Sequence, residues 1–530
     1  MQNEAMIAES SPSSMVIKHP FRWLGLICLF QLFFWTLGPW LVRNTLHSDT
    51  LEGIAWGNLW QWGYEKHPPL AAWTAAFFSN LSDTSDWPVY LFAQVTVVIA
   101  FVAVWRLARE YLTEAGALLA VFLLQGILFY SNRVERLTPD TLQHPIWALL
   151  ALTFYFAVTR QSLAYWLLTG VMSGLAILTK YQVAVLFAPL FIVLLITHEG
   201  RLALSSVGPW LGGLLALAIA SPHLYWLWDN NFAAVSYLGE NYVESERYGT
   251  GTHWDHLIFP LNFIKNNLGN VLVFFLLMIP LFRAPRLPIL YDRFKKVFLI
   301  AIATGPFACT LLFGLVTGEK LVPRWATPYF VWLPLLVLVW TRPLIDYPRF
   351  KKVVFWCLFT GVLFVLLRCS YLLFKPVFDE DYSDSVEFVP LRAQMLKAEE
   401  LWAFHQEDRP ENEGYIPYLG GLHYHVAELL AYSQNHKTIP FFGLNPTESL
   451  WMKEEDFRKK GGIIVMTDGK RYSKEVRQRL EKNYPQAEFL GLFEFEPVTK
   501  VKVDNKPKLF VEYYLLRPQM TPGNLAEGID

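Results

Sequence analysis

Charge, cysteine and ligand-like spacing are what this sequence has least of. Only 17% of its 530 residues are Asp, Glu, Lys or Arg, against about a quarter in ordinary soluble domains. Hydrophobic residues make up 53% and aromatic residues 16%, which excludes a disordered chain and points to a polytopic membrane protein. The four cysteines, Cys28, Cys309, Cys357 and Cys369, all lie in apolar segments without a CxxC or a neighbouring histidine. They read as small core hydrophobes, and neither a disulfide framework nor a cysteine metal site is implied. The net charge of -1 leaves no basic excess for nucleic acid. It hides a split, roughly 25 basic against 20 acidic side chains up to about residue 375 and roughly 20 against 26 beyond it. No tandem repeat is visible. Residues 1–17 lack the basic region and small-residue cleavage site of a signal peptide, and Phe21 to Val42 is too long for a signal core, so it is expected to stay as a first span.

Apolar runs near residues 21–42, 88–105, 115–131, 142–159, 163–178, 182–197, 207–228, 268–283, 297–316, 328–341 and 353–374 predict about 11 spans. Alternate loops carry Arg106 and Arg109, Arg160, Arg201, the group from Arg283 to Lys296, and Arg342 to Lys352. The positive-inside rule assigns those loops, and the tail of residues 1–20, to the cytoplasm. An odd number of spans then sends everything after residue 375 outside. There, residues 376–530 turn charged and alternating. Helices are expected at LRAQMLKAEELWAFH and YHVAELLAYSQ, a strand, turn and helix at GGIIVMTDGKRYSKEVRQRLEKN, and strands at EFLGLFEFE and KLFVEYYLL. These read as one compact α/β domain.

The unusual polar residues of the membrane half gather in the expected outer loops. The first is HSDTLEGIAWGNLWQWGYEKHPPL, residues 47–70. Asp49, Glu52, Trp56 and Trp60 fall at helical spacing, which predicts an interfacial helix with an acid at its tip and indoles in the headgroup layer. The plainer reading of Asp49 and Glu52 is a capping pair. Next, Glu65, Lys66 and His67 set a cation between an acid and an imidazole, and Pro68 and Pro69 suit the start of a new helix. A further loop holds Arg133, Glu135, Arg136 and Asp140, where Thr138-Pro139-Asp140 reads as a helix start, making Asp140 either a catalytic acid or a helix-dipole partner. Arg247, Lys320 and Arg324 complete the outer cations, serving either a phosphate or lipid headgroups. Glu65, His253 and His256 are weak candidates for a divalent ion. Lys180 and Arg368 are ionisable groups in or near the bilayer, and such groups are functional suspects.

The order SDTLEGIAWG, GYEKHPPL, TPDTL, GLAILTKY and EKLVPRWATP resembles the protein O-mannosyltransferase-like membrane glycosyltransferases, and within them the bacterial branch that includes the lipid A aminoarabinose transferases. The likeness covers about 330 residues of the membrane half, so residues 21–375 are expected to be its catalytic domain. It implies the GT-C fold: an α-helical polytopic membrane protein, here with a C-terminal α/β extracytoplasmic domain. It also implies an inverting transfer of a sugar from a polyprenyl-phosphate donor to lipid A or another envelope glycan, on the outer face of a bacterial inner membrane. By the resemblance, Asp49 matches the acidic residue of the first outer loop, Lys66 the lysine of a Glu-Lys-Pro element, and Asp140 the acid opening a later span. The sequence departs from the pattern at the inserted His67 and at the spacing of Asp49 and Glu52.

The chemistry asks for the same residue types. A departing phosphate needs cations, here Lys66, Arg247, Lys320 and Arg324, and an acceptor hydroxyl needs a carboxylate, here Asp49. Glu52, Glu65, His67, Arg133 and Arg136 are expected to support them. No cofactor is required, although a divalent metal is compatible with the resemblance. Two other readings stand beside this one: a protein O-glycosyltransferase using the same donor, and a transporter or flippase of lipid-linked sugars. Carriers place polar groups near the midplane in repeats, whereas this chain gathers them in loops. The C-terminal domain shows no cluster of catalytic residue types and is expected to serve acceptor access or stability.

Overall fold

The computed structural model describes residues 17–82, 85–132, 134–236, 253–287, 291–379, 381–405, 414–433, 435–467, 472–503 and 506–518. Among them, seven helices are long and apolar enough to cross a membrane: Pro20–Val42, Trp87–Ala108, Pro139–Arg160, Gly208–Asp229, Asp255–Phe282, Arg293–Thr317 and Tyr347–Phe378. An eighth span results if Tyr181–Ile196 and His198–Leu204, bent by 98°, count as one. Apolar side chains stay exposed along these helices, as at Trp210, Leu214, Leu261 and Val316, which is what a lipid-facing surface requires.

Three of the expected apolar runs fall outside these spans because their helices are short or broken. Run 115–131 is broken into Glu114–Phe122, a 3-10 turn at Leu123–Gly126 and Leu128–Ser131. Run 163–178 is one helix of 17 residues, Leu163–Thr179. Run 328–341 becomes a 3-10 turn followed by Leu333–Thr341. The reason is physical: all of Ala115–Phe122 is buried, and a short buried helix is as apolar as a spanning one.

The chain divides into two compact units. The first comprises Met1–Pro39, Tyr90–Tyr225 and Ser236–Arg368, and the second Trp40–Val89, Trp226–Val235 and Cys369–Asp530. In the first unit the helix Pro139–Arg160 begins as its sequence foretells. Thr138 is the N-cap, Thr141 closes a capping box with it, and Pro139 takes the first turn, where a missing N–H costs nothing. Gln31, Gln94 and Gln125 form a buried amide chain, Gln125 donating to Gln31 at 2.9 Å and Gln31 to Gln94 at 3.0 Å. Such bonds satisfy polar groups where no water reaches.

In the second unit, helices Ser48–Gly57 and Leu70–Ser79 pack against each other. A Cβ at Gly57 would lie 2.1 Å from the Ala72 carbonyl oxygen, so the close approach needs glycine. Gly63 is required for a similar reason, because a Cβ there would lie 2.2 Å from the Trp226 ring. Among the described residues beyond 390 five strands, β1 (Tyr418–Gly421), β2 (Ile439–Phe442), β3 (Gly462–Thr467), β4 (Glu488–Phe495) and β5 (Leu509–Leu516), form a sheet in the order β2-β1-β3-β5-β4. β1 runs parallel to β2 and β3, while β5 is antiparallel to β3 and β4. The helices Leu391–Phe404, His423–Leu430 and Ser473–Asn483 and strands β3, β4 and β5 all match sequence expectation. β1 and β2 do not announce themselves, since each is four residues long and β2 contains Pro440.

Candidate active site

The helix Ser48–Gly57 is capped by His47, whose Nδ1 accepts the Asp49 N–H at 3.2 Å. Asp49 is therefore not the cap, and the capping reading of Asp49 and Glu52 is corrected. Its carboxylate lies in the first turn with 29% of the side chain exposed, where the helix dipole favours negative charge. The interfacial picture is corrected too. Trp56 is buried and stacks on Tyr64, with ring centroids 5.3 Å apart and planes 7° from parallel, while Trp60 is exposed. A half-apolar helix places one indole inward because the packing partner lies there.

The chain returns through a turn in which the Tyr64 N–H donates to the His67 carbonyl at 3.1 Å. That turn carries Lys66 to Glu52: Nζ donates to Glu52 Oε1 at 2.7 Å, with both side chains less than 10% exposed. Lys66 also stands 4.6 Å over the Tyr424 ring and 5.7 Å from that of Trp56. Glu52 is thus the direct partner of Lys66. A second donor reaches the same oxygen, His423 Nε2 at 2.7 Å, which lies 3.3 Å from Lys66 Nζ. The other ring nitrogen, Nδ1, meets Glu448 Oε2 at 3.3 Å, and Glu448 is held in turn by Asn445 at 3.1 Å and Arg479 at 3.5 Å.

Charge follows from this geometry. Burial would raise the Glu52 carboxyl, but Lys66 and His423 outweigh it and hold Glu52 at about 2. Burial and Lys66 press His423 toward neutrality, yet hydrogen bonds to Glu448 and Glu52 leave it raised above the usual imidazole value. Burial likewise opposes ionisation of Glu448, and His423 overrides it downward. Glu65 lacks such compensation: burial pushes its carboxyl up to about 7, against weaker pulls from His423 and Lys66. One of its oxygens is buried with no hydrogen-bond partner among the described residues.

The first unit holds its own cluster. Asp140, in the first turn of Pro139–Arg160, accepts a 2.5 Å bond from Lys180 and lies 3.7 Å from the Arg324 guanidinium. Lys180 is thereby a partner of Asp140. Arg324 keeps 55% of its side chain exposed and starts a 3-10 turn with Pro323. Gln182 stiffens that turn by donating to the Trp325 carbonyl at 2.6 Å and the Tyr329 hydroxyl at 2.5 Å. Arg368 donates from Nε and Nη2 to Glu135 Oε1, at 3.1 and 2.8 Å, and Glu135 is buried. A charge in a spanning helix is stabilised by such a partner.

Lys320 is exposed. Arg136 contributes its carbonyl, which accepts from the Thr141 hydroxyl at 2.8 Å. Arg133 and Arg247 fall outside the described residues. His253 is exposed, and the His256 Nδ1 lies 2.9 Å from the Leu315 carbonyl. Among the described residues no three His, Cys, Asp or Glu side chains come together to hold a metal ion. His423 and Glu448 are what sequence reading missed. His423 is 357 residues from Lys66, beyond the reach of any local spacing rule.

This helical architecture with a small mixed sheet is the GT-C fold. It is shared with ArnT from Cupriavidus metallidurans, solved bound to undecaprenyl phosphate (TM-score 0.59, 15% identity, 92% of this chain and 98% of that one) and in the apo state (TM-score 0.55, 13% identity, the same coverage). Residues 66–226 match the family of dolichyl-phosphate-mannose-protein mannosyltransferases, as the motif resemblance anticipates. Two lipopolysaccharide core galacturonosyltransferases of Rhizobium johnstonii are similar in sequence. RgtB is 28% identical over 197 residues, which are 35% of this chain and 39% of that protein; RgtA is 24% identical over 318 residues, 56% and 60%. The chain thus spans less than two thirds of the length of either relative.

Proposed function

We propose that this protein is an inverting glycosyltransferase of the GT-C type. It moves a sugar from a polyprenyl-phosphate carrier to the lipid A or core region of lipopolysaccharide, at the periplasmic face of the inner membrane. One observation carries the reading: 92% of the chain shares its fold with a protein solved on undecaprenyl phosphate. The two sequence relatives are named for lipopolysaccharide core transfer, which favours a glycolipid acceptor. The family match at residues 66–226 carries a protein acceptor in its description and keeps protein hydroxyls as a second acceptor reading.

In this reading the acceptor hydroxyl loses its proton to the Asp49 carboxylate as its oxygen attacks the anomeric carbon. The bond to the carrier phosphate breaks, its electron pair stays on the phosphate oxygen, and configuration inverts. Lys66 stabilises the charge growing on that phosphate, and the outer cations Arg324, Lys320 and Arg247 are further candidates for the same role. Asp140, with Lys180 beside it, orients the Arg324 guanidinium for this task. No metal is needed for the step. Mass spectrometry of lipid A, core oligosaccharide and envelope glycoproteins from cells with and without the gene tests the reading. A sugar missing from lipid A or core is expected; a change confined to proteins would move the acceptor, and no change in any glycan would refute it.

A further inference from the structure

The side chains that reach Lys66 include one that no part of the proposed chemistry uses. Lys66 is buried against Glu52 at 2.7 Å. A lysine held by one carboxylate in a poorly hydrated site is a weak ligand for a second anion, because its charge is already compensated. The Glu52 oxygen that holds Lys66 also meets His423 Nε2 at 2.7 Å, and His423 is fixed from behind by Glu448 at 3.3 Å. Glu448 in turn is fixed by Arg479 and Asn445. The ring itself stacks on Phe442, with centroids 4.2 Å apart, so it cannot swing away from Glu52 without losing both the stack and the second carboxylate.

We propose that His423 is a positioning residue for the donor phosphate: by sharing Glu52 it loosens that carboxylate's hold on Lys66 and keeps the ammonium competent to bind the phosphate of the carrier. This rests on the reading of Lys66 as a phosphate ligand. Two donors on one oxygen divide its negative charge, and each is held less tightly than it would be alone. The groups that face the imidazole are Glu52, Lys66, Glu65 and Glu448, with Arg479 behind Glu448. The carboxylates on its two nitrogens call for a donor at both, the form in which His423 is an imidazolium. A function is thereby given to the segment around β1 and β2, which contributes to the donor site through one imidazole and the acid that aims it.

The test is steady-state transfer by the purified full-length protein from a polyprenyl-phosphate sugar, with the donor concentration varied. His423→Leu, close in bulk but unable to hydrogen-bond, is expected to raise the donor KM about tenfold while kcat changes less than about threefold. His423→Gln, whose amide can still donate to Glu52, is expected to recover most of the loss. Glu448→Gln is expected to raise KM by about threefold alone and to add nothing to His423→Leu, because it acts only through the imidazole. If His423→Leu proves unfolded, the KM values of His423→Gln and Glu448→Gln decide the matter. An unchanged donor KM in the folded variants, or equal losses in kcat and none in KM, would overturn the proposal. Lys66→Met distinguishes the levels. If it abolishes donor saturation while the His423 and Glu448 variants behave as wild type, the phosphate reading stands and the positioning role fails; if it leaves donor KM unchanged, the underlying reading fails.

Discussion

Lys66 and Lys180 each meet a carboxylate, and they are held in different ways. Lys66 and Glu52 are closed off from water, share a histidine and lie under aromatic rings. Lys180 and Asp140 stand at a helix start, and their third member, Arg324, has more than half of its side chain exposed. The comparison teaches that burial decides what a charged pair can do. A closed pair contributes to the fold as well as to chemistry, since breaking it leaves an uncompensated charge. An open cation contributes mostly through what it binds, because water already solvates it.

The sharpest way to break the comparison is Asp49→Asn. The helix is capped by His47, so folding is expected to be intact while turnover falls by about 10² to 10⁴, the usual range for a proton-transfer group. Circular dichroism together with the transfer rate checks this, and a near-normal rate would leave the mechanism without its base. Lys66→Met comes next. Removing the cation from buried Glu52 is expected to cost about 3 kcal/mol, the low end for such a pair because His423 stays in place. Thermal unfolding in detergent reads the cost. Arg324→Ala, by contrast, is expected to leave the unfolding temperature within error and to raise donor KM by about tenfold. Equal stability losses at Lys66 and Arg324 would erase the distinction drawn here.

How legible these arrangements are in the sequence follows from distance along the chain. The start of Pro139–Arg160 is readable, because Thr138 and Pro139 act within one turn, and the structure adds Thr141 as the partner that closes the capping box. Three helices and the three later strands of the C-terminal region are readable from periodicity, whereas the helix Glu454–Lys460 is not. Nor is the break inside run 115–131, because the buried run at Ala115–Phe122 is as apolar as one facing lipid. Lys66 and Glu52, 14 residues apart, both stand out in the sequence, but their pairing depends on the Tyr64 to His67 turn. His423 could not be found at all: β1, which leads into its helix, is four residues of YLGG without an alternating pattern.

The smallest expected effect concerns pH. Glu65 is raised to about 7 by burial, above its unfolded value, so the protonated acid is the form the fold prefers. Its contribution is fully present below the unfolded carboxyl value near 4.5 and is lost as pH rises through about 7. Glu52, lowered to about 2, acts in the opposite sense: its contribution is present above the unfolded value and is lost as pH falls toward 2. Unfolding temperature is therefore expected to decline gently between pH 5 and pH 7, and Glu65→Gln to flatten that decline. A slope unchanged in the variant would remove Glu65 as its source.

The central claim is chemical, that the carrier bond is broken and the sugar delivered. Purified protein in liposomes, given a panel of polyprenyl-phosphate sugars and a lipopolysaccharide core acceptor, tests it directly by mass spectrometry of both lipids. The account predicts one molecule of free polyprenyl phosphate for each sugar gained by the acceptor, with the anomeric configuration inverted and none of this in Asp49→Asn. Carrier that crosses the vesicle with its sugar still attached would contradict it.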